Sequence, residues 1–574
     1  MTTRPRRNED LNPPGWRLGL VLAVAAVAVV VVLLRAIDLQ VLNRDFLLHQ
    51  ADARHLRTVE VPANRGVITD RHGEALAVSS PVDSIWAVPG DVLAAPDGVA
   101  RLAELLDRSP RGLSERLQAR AGRQFVYLRR HATSELVERV TEAQIPGVHL
   151  QREYRRFYPA GEVAAQLVGV TDIDDLGLEG VERVLDDRLR GRPGAKRVLR
   201  DRLGRVVEDV ELLREPRPGE TLALSVDRRL QYLAYRELKS AVSRHGAESG
   251  AAVMLDVKTG EILAMVNQPS FNPHRRGEVA HAHRRNRAVA DSYEPGSVIK
   301  PFTVAAALSG GVAGPGTELE TGPGALRVGQ HTVRDLANYG RLDLTGIIQK
   351  SSNVGAAKLA LRTPPRVLWD AFMDFGFGAV TGSGLPGEVP GTLSPAPPRG
   401  EVERATLAYG YGLATTPLQL ARAYSAIAAG GIMRDVSVLR RAEPASEYRV
   451  LDAEIAAEIA GMMERVVEPA GTGMNAAVPG YRVAGKTGTV RKSGSGGYIE
   501  DEYVAMFVGF APASDPRLVL AVVINSPGGE AYYGGQVAAP VFSRVMSGAL
   551  RLLNVAPDDL PEIDLPVLAR GGEE

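Results

Sequence analysis

Between Leu18 and Leu34 the chain carries no charged or strongly polar side chain, and Trp16, Ala36 and Ile37 bring the apolar run close to the ~20 residues that cross a bilayer. In lipid, every backbone N–H and C=O must be satisfied inside the segment itself, so such a run has one structure open to it, a helix. Arg17 and Arg35 flank it and can reach the two interfaces. Ala23-Val24-Ala25 has the small-x-small pattern of a cleavage site but falls inside the run, too early to follow it. An uncleaved anchor over residues 17–37 is therefore predicted. Arg4, Arg6, Arg7 and Arg17 place the tail, residues 1–16, in the cytoplasm, and everything beyond about residue 36 outside.

The remainder of the 574 residues is long enough for more than one domain. With 68 basic and 68 acidic side chains there is no net field to gather nucleic acid, and that class of partner is excluded. Cysteine is absent, which suits an oxidising compartment but many cytosolic proteins as well. His281-Ala282-His283 beside Arg284, Arg285 and Arg287 invites a metal site, yet no cysteine and no His-Glu-x-x-His helix accompanies it. A solvated loop is the reading, and neither metal nor cofactor is expected.

Residues 37–58 alternate charged and aliphatic side chains, as in a helical stalk. From there to about 218, short β-like runs (Val67-Ile68; Ser84-Ile85-Trp86-Ala87-Val88) mix with helical stretches such as 134–143, predicting an α+β module over 38–218 in which Arg65 and Asp70 fix a turn. Pro216 and Pro218 mark its boundary. A second domain of alternating strands and helices is predicted over 219–555, with a loose acidic tail over 556–574.

Three short motifs fall in order within that second domain: Ser297-Val298-Ile299-Lys300, Ser351-Ser352-Asn353 and Lys486-Thr487-Gly488. Roughly one stray match to each of the last two patterns is unsurprising at this length. Ser270-Phe271-Asn272 and Lys258-Thr259-Gly260 are such matches, and both precede Ser297, in the wrong order. The latter joins two β-like runs through Asp and Gly, so it reads as a hairpin tip.

Pro295-Gly296 breaks the chain, and the apolar run from Val298 to Leu308 predicts a buried helix starting at Ser297, with Pro301 in its first turn. Ser297 and Lys300 then share one face, a nucleophile beside a base. A lysine can take the serine proton only if burial or a second cation depresses its pKa, and Lys486 is that cation. The segment around Lys486 reads as a strand whose glycines, Gly485 and Gly488, let a substrate backbone lie close, with Thr487 and Thr489 offering hydroxyls to a carboxylate. The amides of Ser297 and Thr489 are the oxyanion donors expected. Ser351 relays a proton to the leaving amine, and Asn353 holds a substrate amide. A lone Ser-x-x-Lys would more often be a helix cap and a solvated lysine. The ordered trio reverses that.

This set resembles the penicillin-binding protein and serine β-lactamase superfamily. Further segments are similar to class B penicillin-binding proteins of the cell-division, FtsI type: Arg65 to Gly73, Gly177 to Glu182, Ser225 to Gln231, Tyr293-Glu294-Pro295-Gly296-Ser297, Lys350 to Gly355, Gly410-Tyr411-Gly412, Thr416 to Gln419, Gly471-Thr472-Gly473 and Tyr532-Tyr533-Gly534-Gly535. The resemblance implies a multidomain α/β and α+β chain: anchor, pedestal, and a transpeptidase domain with an antiparallel sheet flanked by helices. It implies a D,D-transpeptidase in which Ser297 attacks the D-Ala-D-Ala carbonyl of a peptidoglycan stem peptide and passes the acyl group to a neighbouring amine, with β-lactams as covalent inhibitors. Tyr503, Tyr532 and Tyr533 match the family's aromatic wall near the active site. Glu294 favours the division branch, hence the septum and an FtsW-type glycosyltransferase with other division proteins as partners. An elongation-type transpeptidase, a D,D-carboxypeptidase or β-lactamase, and a non-catalytic scaffold are the alternatives.

Overall fold

The computed structural model describes residues 15–42, 56–200, 206–441, 443, 446–494 and 497–560. Helix α1, Gly15–Ile37, is long and apolar enough to cross a membrane, and Trp16–Gln40 buries none of itself against the protein. A π-helical turn, Asp38–Leu42, continues it. Most of the expected stalk, residues 43–55, lies outside the described residues.

The pedestal follows as predicted in class. Its long strand β1, Ala75–Ala87, pairs antiparallel with β2, Val126–Ala132, and with β3, Val148–Phe157. The helical stretch foreseen near 134 is a helix over Ser134–Ala143, capped by Thr133, whose hydroxyl accepts from the Leu136 N–H. Arg65 does more than fix a turn. Buried, it donates to Glu182 (2.7 Å), to Asp186 (2.6 Å) and to the Asp175 carbonyl (3.0 Å), while Arg156 donates to the other Glu182 oxygen (2.7 Å). A buried charge needs this degree of pairing, and the pairing holds the 177–182 segment against the start of the module. Asp70 does hold a turn, accepting from the His72 and Glu74 amides (2.8 and 2.9 Å).

The next segment bolts the pedestal to the second domain. Helix α2, Arg228–Arg244, is capped by Asp227, which also meets His72 of the pedestal (3.0 Å) and Arg229 (2.6 Å). Burial pushes the Asp227 carboxyl pKa up, but these hydrogen bonds outweigh it and hold the group at about 2. Arg71 reaches Glu261 (3.1 Å), and Gln231 donates to the Val163 and Met265 carbonyls (2.9 and 2.7 Å).

The second domain is built on five antiparallel strands: β4 (Ser249–Asp256), β5 (Ile262–Gln268), β6 (Ala484–Gly494), β7 (Gly497–Ala511) and β8 (Leu518–Asn525), in the order β5-β4-β8-β7-β6. Strands β4, β5 and β8 are buried along their whole length, so they read as continuous apolar runs, as a sheet covered on both faces must. One face carries α2 and the C-terminal helix Ala539–Leu552; the other carries the motif helices described below. Lys258-Thr259-Gly260 is the β4–β5 hairpin tip, its amides bonded to Asp256 (2.9 and 3.2 Å). The tail predicted to be loose from 556 begins docked: Asp558 accepts from the Arg482 amide (2.8 Å) and the Ser514 hydroxyl (2.7 Å), and the Asp559 amide meets the Gly480 carbonyl (3.1 Å). The Asp558 side chain finds fixed donors there in place of solvent. Residues 561–574 lie outside the described residues.

Candidate active site

Ser297 lies in a 3₁₀ turn, Gly296–Ile299, that runs into helix α3, Lys300–Ser309. The α-helix expected to start at Ser297 is replaced by this tighter turn for a chemical reason. Pro301 has no N–H to donate back four residues, so the Ser297 carbonyl accepts from the Lys300 N–H, three residues on. Residues three apart eclipse in such a turn, which puts Ser297 and Lys300 on one side. The turn is fixed from below: the Tyr424 hydroxyl donates to the Val298 carbonyl (2.7 Å), and Phe302 meets Phe375, Phe377 and Tyr424 edge-on at 4.7, 5.1 and 5.4 Å. From above, the Gly296 amide donates to the Gly410 carbonyl (3.1 Å), and a Cβ at Gly410 would lie 2.1 Å from the Gly296 oxygen. That contact, with φ +92°, is why glycine opens Gly410-Tyr411-Gly412.

The second motif precedes helix α4, Asn353–Arg362. Ser352 caps it, accepting from the Gly355 amide (2.8 Å). Ser351 sits at φ +59°, a left-handed conformation held by its surroundings, with its carbonyl and hydroxyl both turned to the lysines. Lys300 Nζ donates to the Ser351 carbonyl (2.5 Å) and Asn353 Oδ1 (2.8 Å) and lies 3.2 Å from Ser351 Oγ; Lys486 Nζ lies 3.0 Å from the same Oγ. Both lysines are fully buried. Burial above all, then the neighbouring Lys486 charge, holds Lys300 well below the usual lysine pKa, against an opposing pull from Asp335. Burial takes Lys486 down to about 7.

A cleft of about 630 Å³ opens over this cluster, bordered by Ser297, Ser351, Asn353, Thr487, Thr489, Tyr503, Tyr532 and Tyr533 among others. The two lysines lie beneath it. Gly488 is not on the cleft wall; a Cβ there would meet Val298 Cγ1 at 3.0 Å and the Pro295 carbonyl at 3.1 Å, so this glycine lets β6 press against the Ser297 turn. Tyr503 stacks on Tyr532 at 4.1 Å, and Tyr532 on Tyr533 at 4.5 Å, forming one aromatic wall. The Thr487 hydroxyl pairs with that of Thr472 (2.8 Å), and Thr489 Oγ1 accepts from the Gly534 amide (2.9 Å). Among the described residues the Ser297 hydroxyl has no hydrogen-bond partner.

Asp335 escaped the sequence reading. Its carboxylate accepts from the Asn353 and Val354 amides (2.5 and 3.0 Å) and the Ser352 hydroxyl (2.6 Å), at the positive end of α4. Thr472, in the Gly471-Thr472-Gly473 segment, takes a place at the cleft through its hydroxyl pair with Thr487. Glu294 accepts from the Gly412 amide (3.1 Å) and the Tyr498 hydroxyl (3.3 Å), tying the serine turn to the 410–412 loop and the tip of β7. Among the described residues no cluster of acidic or histidine side chains has the make-up of a metal site.

Comparison with known proteins places this geometry. Residues 250–547 match the penicillin binding protein transpeptidase domain, and residues 60–224 the penicillin-binding protein dimerisation domain. The peptidoglycan D,D-transpeptidase FtsI of Escherichia coli is 44 % identical over 565 residues, 97 % of this chain and 96 % of that one. Among solved structures, the transpeptidase domain of penicillin-binding protein 3 from Burkholderia pseudomallei is 42 % identical, covers 59 % of this chain and 98 % of its own, and superposes with a TM-score of 0.55. Penicillin-binding protein 3 of Mycobacterium tuberculosis, complexed with aztreonam, is 29 % identical, covers 87 % of this chain and 98 % of its own, and reaches 0.68. A domain match over more than half the chain, and 44 % identity across nearly the full length of a relative, agree with the serine, the two buried lysines and the strand beside them: this chain belongs to the penicillin-binding proteins that join a dimerisation module to a transpeptidase domain.

Proposed function

We propose that the chain is a serine D,D-transpeptidase that cross-links peptidoglycan stem peptides and is acylated by β-lactams, with Ser297 as nucleophile. The observation that carries this is the placement of Lys300. A neutral amine has two N–H donors and one lone pair. The Ser351 carbonyl and Asn353 Oδ1 take the two donors, so the lone pair is left for a hydroxyl, that of Ser351 at 3.2 Å or the unpartnered one of Ser297 on the same side of the turn, and burial keeps the amine neutral enough to use it. Ser297 gives up its proton to Lys300 and attacks the penultimate D-Ala carbonyl; the amides of Ser297 and Thr489 stabilise the oxyanion. Ser351, between both lysines, returns a proton to the departing D-Ala amine. Asn353 holds a substrate amide, Lys486, Thr487 and Thr489 take the terminal carboxylate, and the tyrosine wall confines the stem. The acceptor amine then attacks the acyl-enzyme, releasing Ser297.

The relatives' names and the Glu294 turn support action at the division septum, with α1 as a single inner-membrane anchor, residues 1–16 cytoplasmic and both domains outside. An FtsW-type glycosyltransferase supplying glycan strands fits that placement. Fluorescent penicillin tests the chemistry: Ser297→Ala should lose covalent labelling while its thermal unfolding stays nearly unchanged, and undiminished labelling would move the nucleophile elsewhere. Label that persists for hours supports transfer; turnover within seconds would make the protein a hydrolase.

A further inference from the structure

We propose that pedestal and transpeptidase domain together form a second binding site, an oxyanion pocket for a carboxylate or phosphate group on a small molecule. It encloses about 280 Å³ and shares no lining residue with the Ser297 cleft. One wall is pedestal, with Arg155, Arg156 and Tyr158 beside His131; the other is the segment after β5, with His274 and Arg276.

Arg156 is the central observation. Its side chain is 2 % exposed; Nε donates to Glu182 (2.7 Å) and Nη1 to the Ser79 hydroxyl (3.0 Å), but the buried Nη2 has no protein partner. A buried guanidinium N–H left unpaired is costly, and a ligand that accepts from it is rewarded accordingly. His131 Nε2 is buried without a partner too; the nearest carboxylate oxygen, on Glu153, is 3.9 Å away. His131 stands at φ +50°, where the β1–β2 register slips, a bulge of the kind that re-aims a side chain.

One acid stands near Arg156: Asp175, whose buried Oδ1 has no partner and whose carboxyl burial pushes up to about 6 against the pull of the Arg156 charge. Arg276 reaches only the Thr171 carbonyl (3.4 Å), and Arg155 has no partner among the described residues. Glu182 is taken by Arg65 and Arg156, and Glu153 by Arg130 and Tyr127. Asp172, on the rim, is spent on its own turn, accepting from the Asp174 and Leu176 amides (2.8 and 2.9 Å). Guanidinium groups from two domains converging on one small cavity suit the planar, paired recognition of a carboxylate or phosphate. The volume admits one such group with a short attachment, such as a stem-peptide carboxylate or the phosphate of a wall precursor. A group bound between Arg156 and Arg276 fastens pedestal to transpeptidase domain.

Titration calorimetry on the full chain in detergent, at constant ionic strength against chloride, with inorganic phosphate and glutarate as probes, tests the site. One of the two probes is expected to bind with a single site per chain. Tighter phosphate binding assigns the pocket to a phosphate-bearing molecule, and tighter glutarate binding to a peptide carboxylate. Arg276→Gln should weaken binding about tenfold while leaving the rate of penicillin labelling at the wild-type value. The exposed Arg155→Gln is the second variant, with the same expectation, should the first fail to fold. No heat above the chloride control with either probe, or equal binding by wild type and a folded variant, overturns the proposal.

Discussion

The Asp335 carboxylate gathers three donors at the start of α4 and through them fixes where Ser351 and Asn353 stand against Lys300. It also favours the charged form of that lysine, against burial and Lys486. In Asp335→Asn, Lys300 should therefore hold its proton less well, and the acid limb of penicillin acylation should move to lower pH. The rate at neutral pH should fall by roughly tenfold or more as the brace on the Ser351 loop is lost. Second-order acylation constants measured across about pH 5 to 9 check both. In the wild type the same profile should decline on the alkaline side, because Lys486, at about 7, loses the charge we propose for meeting the carboxylate as pH rises. The five residues gathered at the cleft, Ser297, Lys300, Ser351, Asn353 and Lys486, were legible because acyl transfer asks for these residue types at short spacing. Asp335 was not, since its partners lie 17 to 19 positions away and no local pattern marks it.

At the scale of elements, the hairpin at Lys258 and the helix from Ser134 were readable from turn chemistry and periodicity. The shape of the Ser297 turn was not, because it depends on which carbonyl Pro301 leaves without a donor. Packing between elements was equally hidden: nothing near Gly410 announces that its Cα rests on Gly296. Gly410→Ala should cost about 3 kcal/mol or more, since a Cβ would meet backbone in a conformation that L residues rarely adopt, and should abolish penicillin labelling. Gly461, exposed inside the helix Ala453–Glu464 with nothing within 4 Å of a Cβ, is the contrast. Gly461→Ala should stabilise by about 0.5–1 kcal/mol. Denaturant unfolding of both variants separates the two outcomes.

For the whole molecule, the junction at Asp227 links acidity to the union of the two domains. Its carboxyl is held at about 2, below its ordinary 3.8, so its contribution is complete above that ordinary value and is lost as pH falls toward 2. Calorimetry should find Asp227→Asn melting below the wild type at neutral pH, with the gap closing between about pH 4 and pH 2. Two of the sequence segments that resembled known relatives, Arg65 to Gly73 and Ser225 to Gln231, are joints: Arg71, Asp227 and Gln231 fasten the domains and do not line the Ser297 cleft. One feature of the sheet bears on what the molecule must refuse. Strand β6 is outermost, and among the described residues no strand pairs with its free side. Such an edge is a template for any extended chain, and a protein usually blunts it with proline or a covering loop. Here the cleft runs beside β6 and is bordered by its Thr487, Thr489 and Arg491, so what shields the edge is the rim of that cleft, with the Ser297 turn and the tyrosine wall. An extended chain must enter the cleft before it can reach this edge, so admission to the cleft governs what the sheet can pair with.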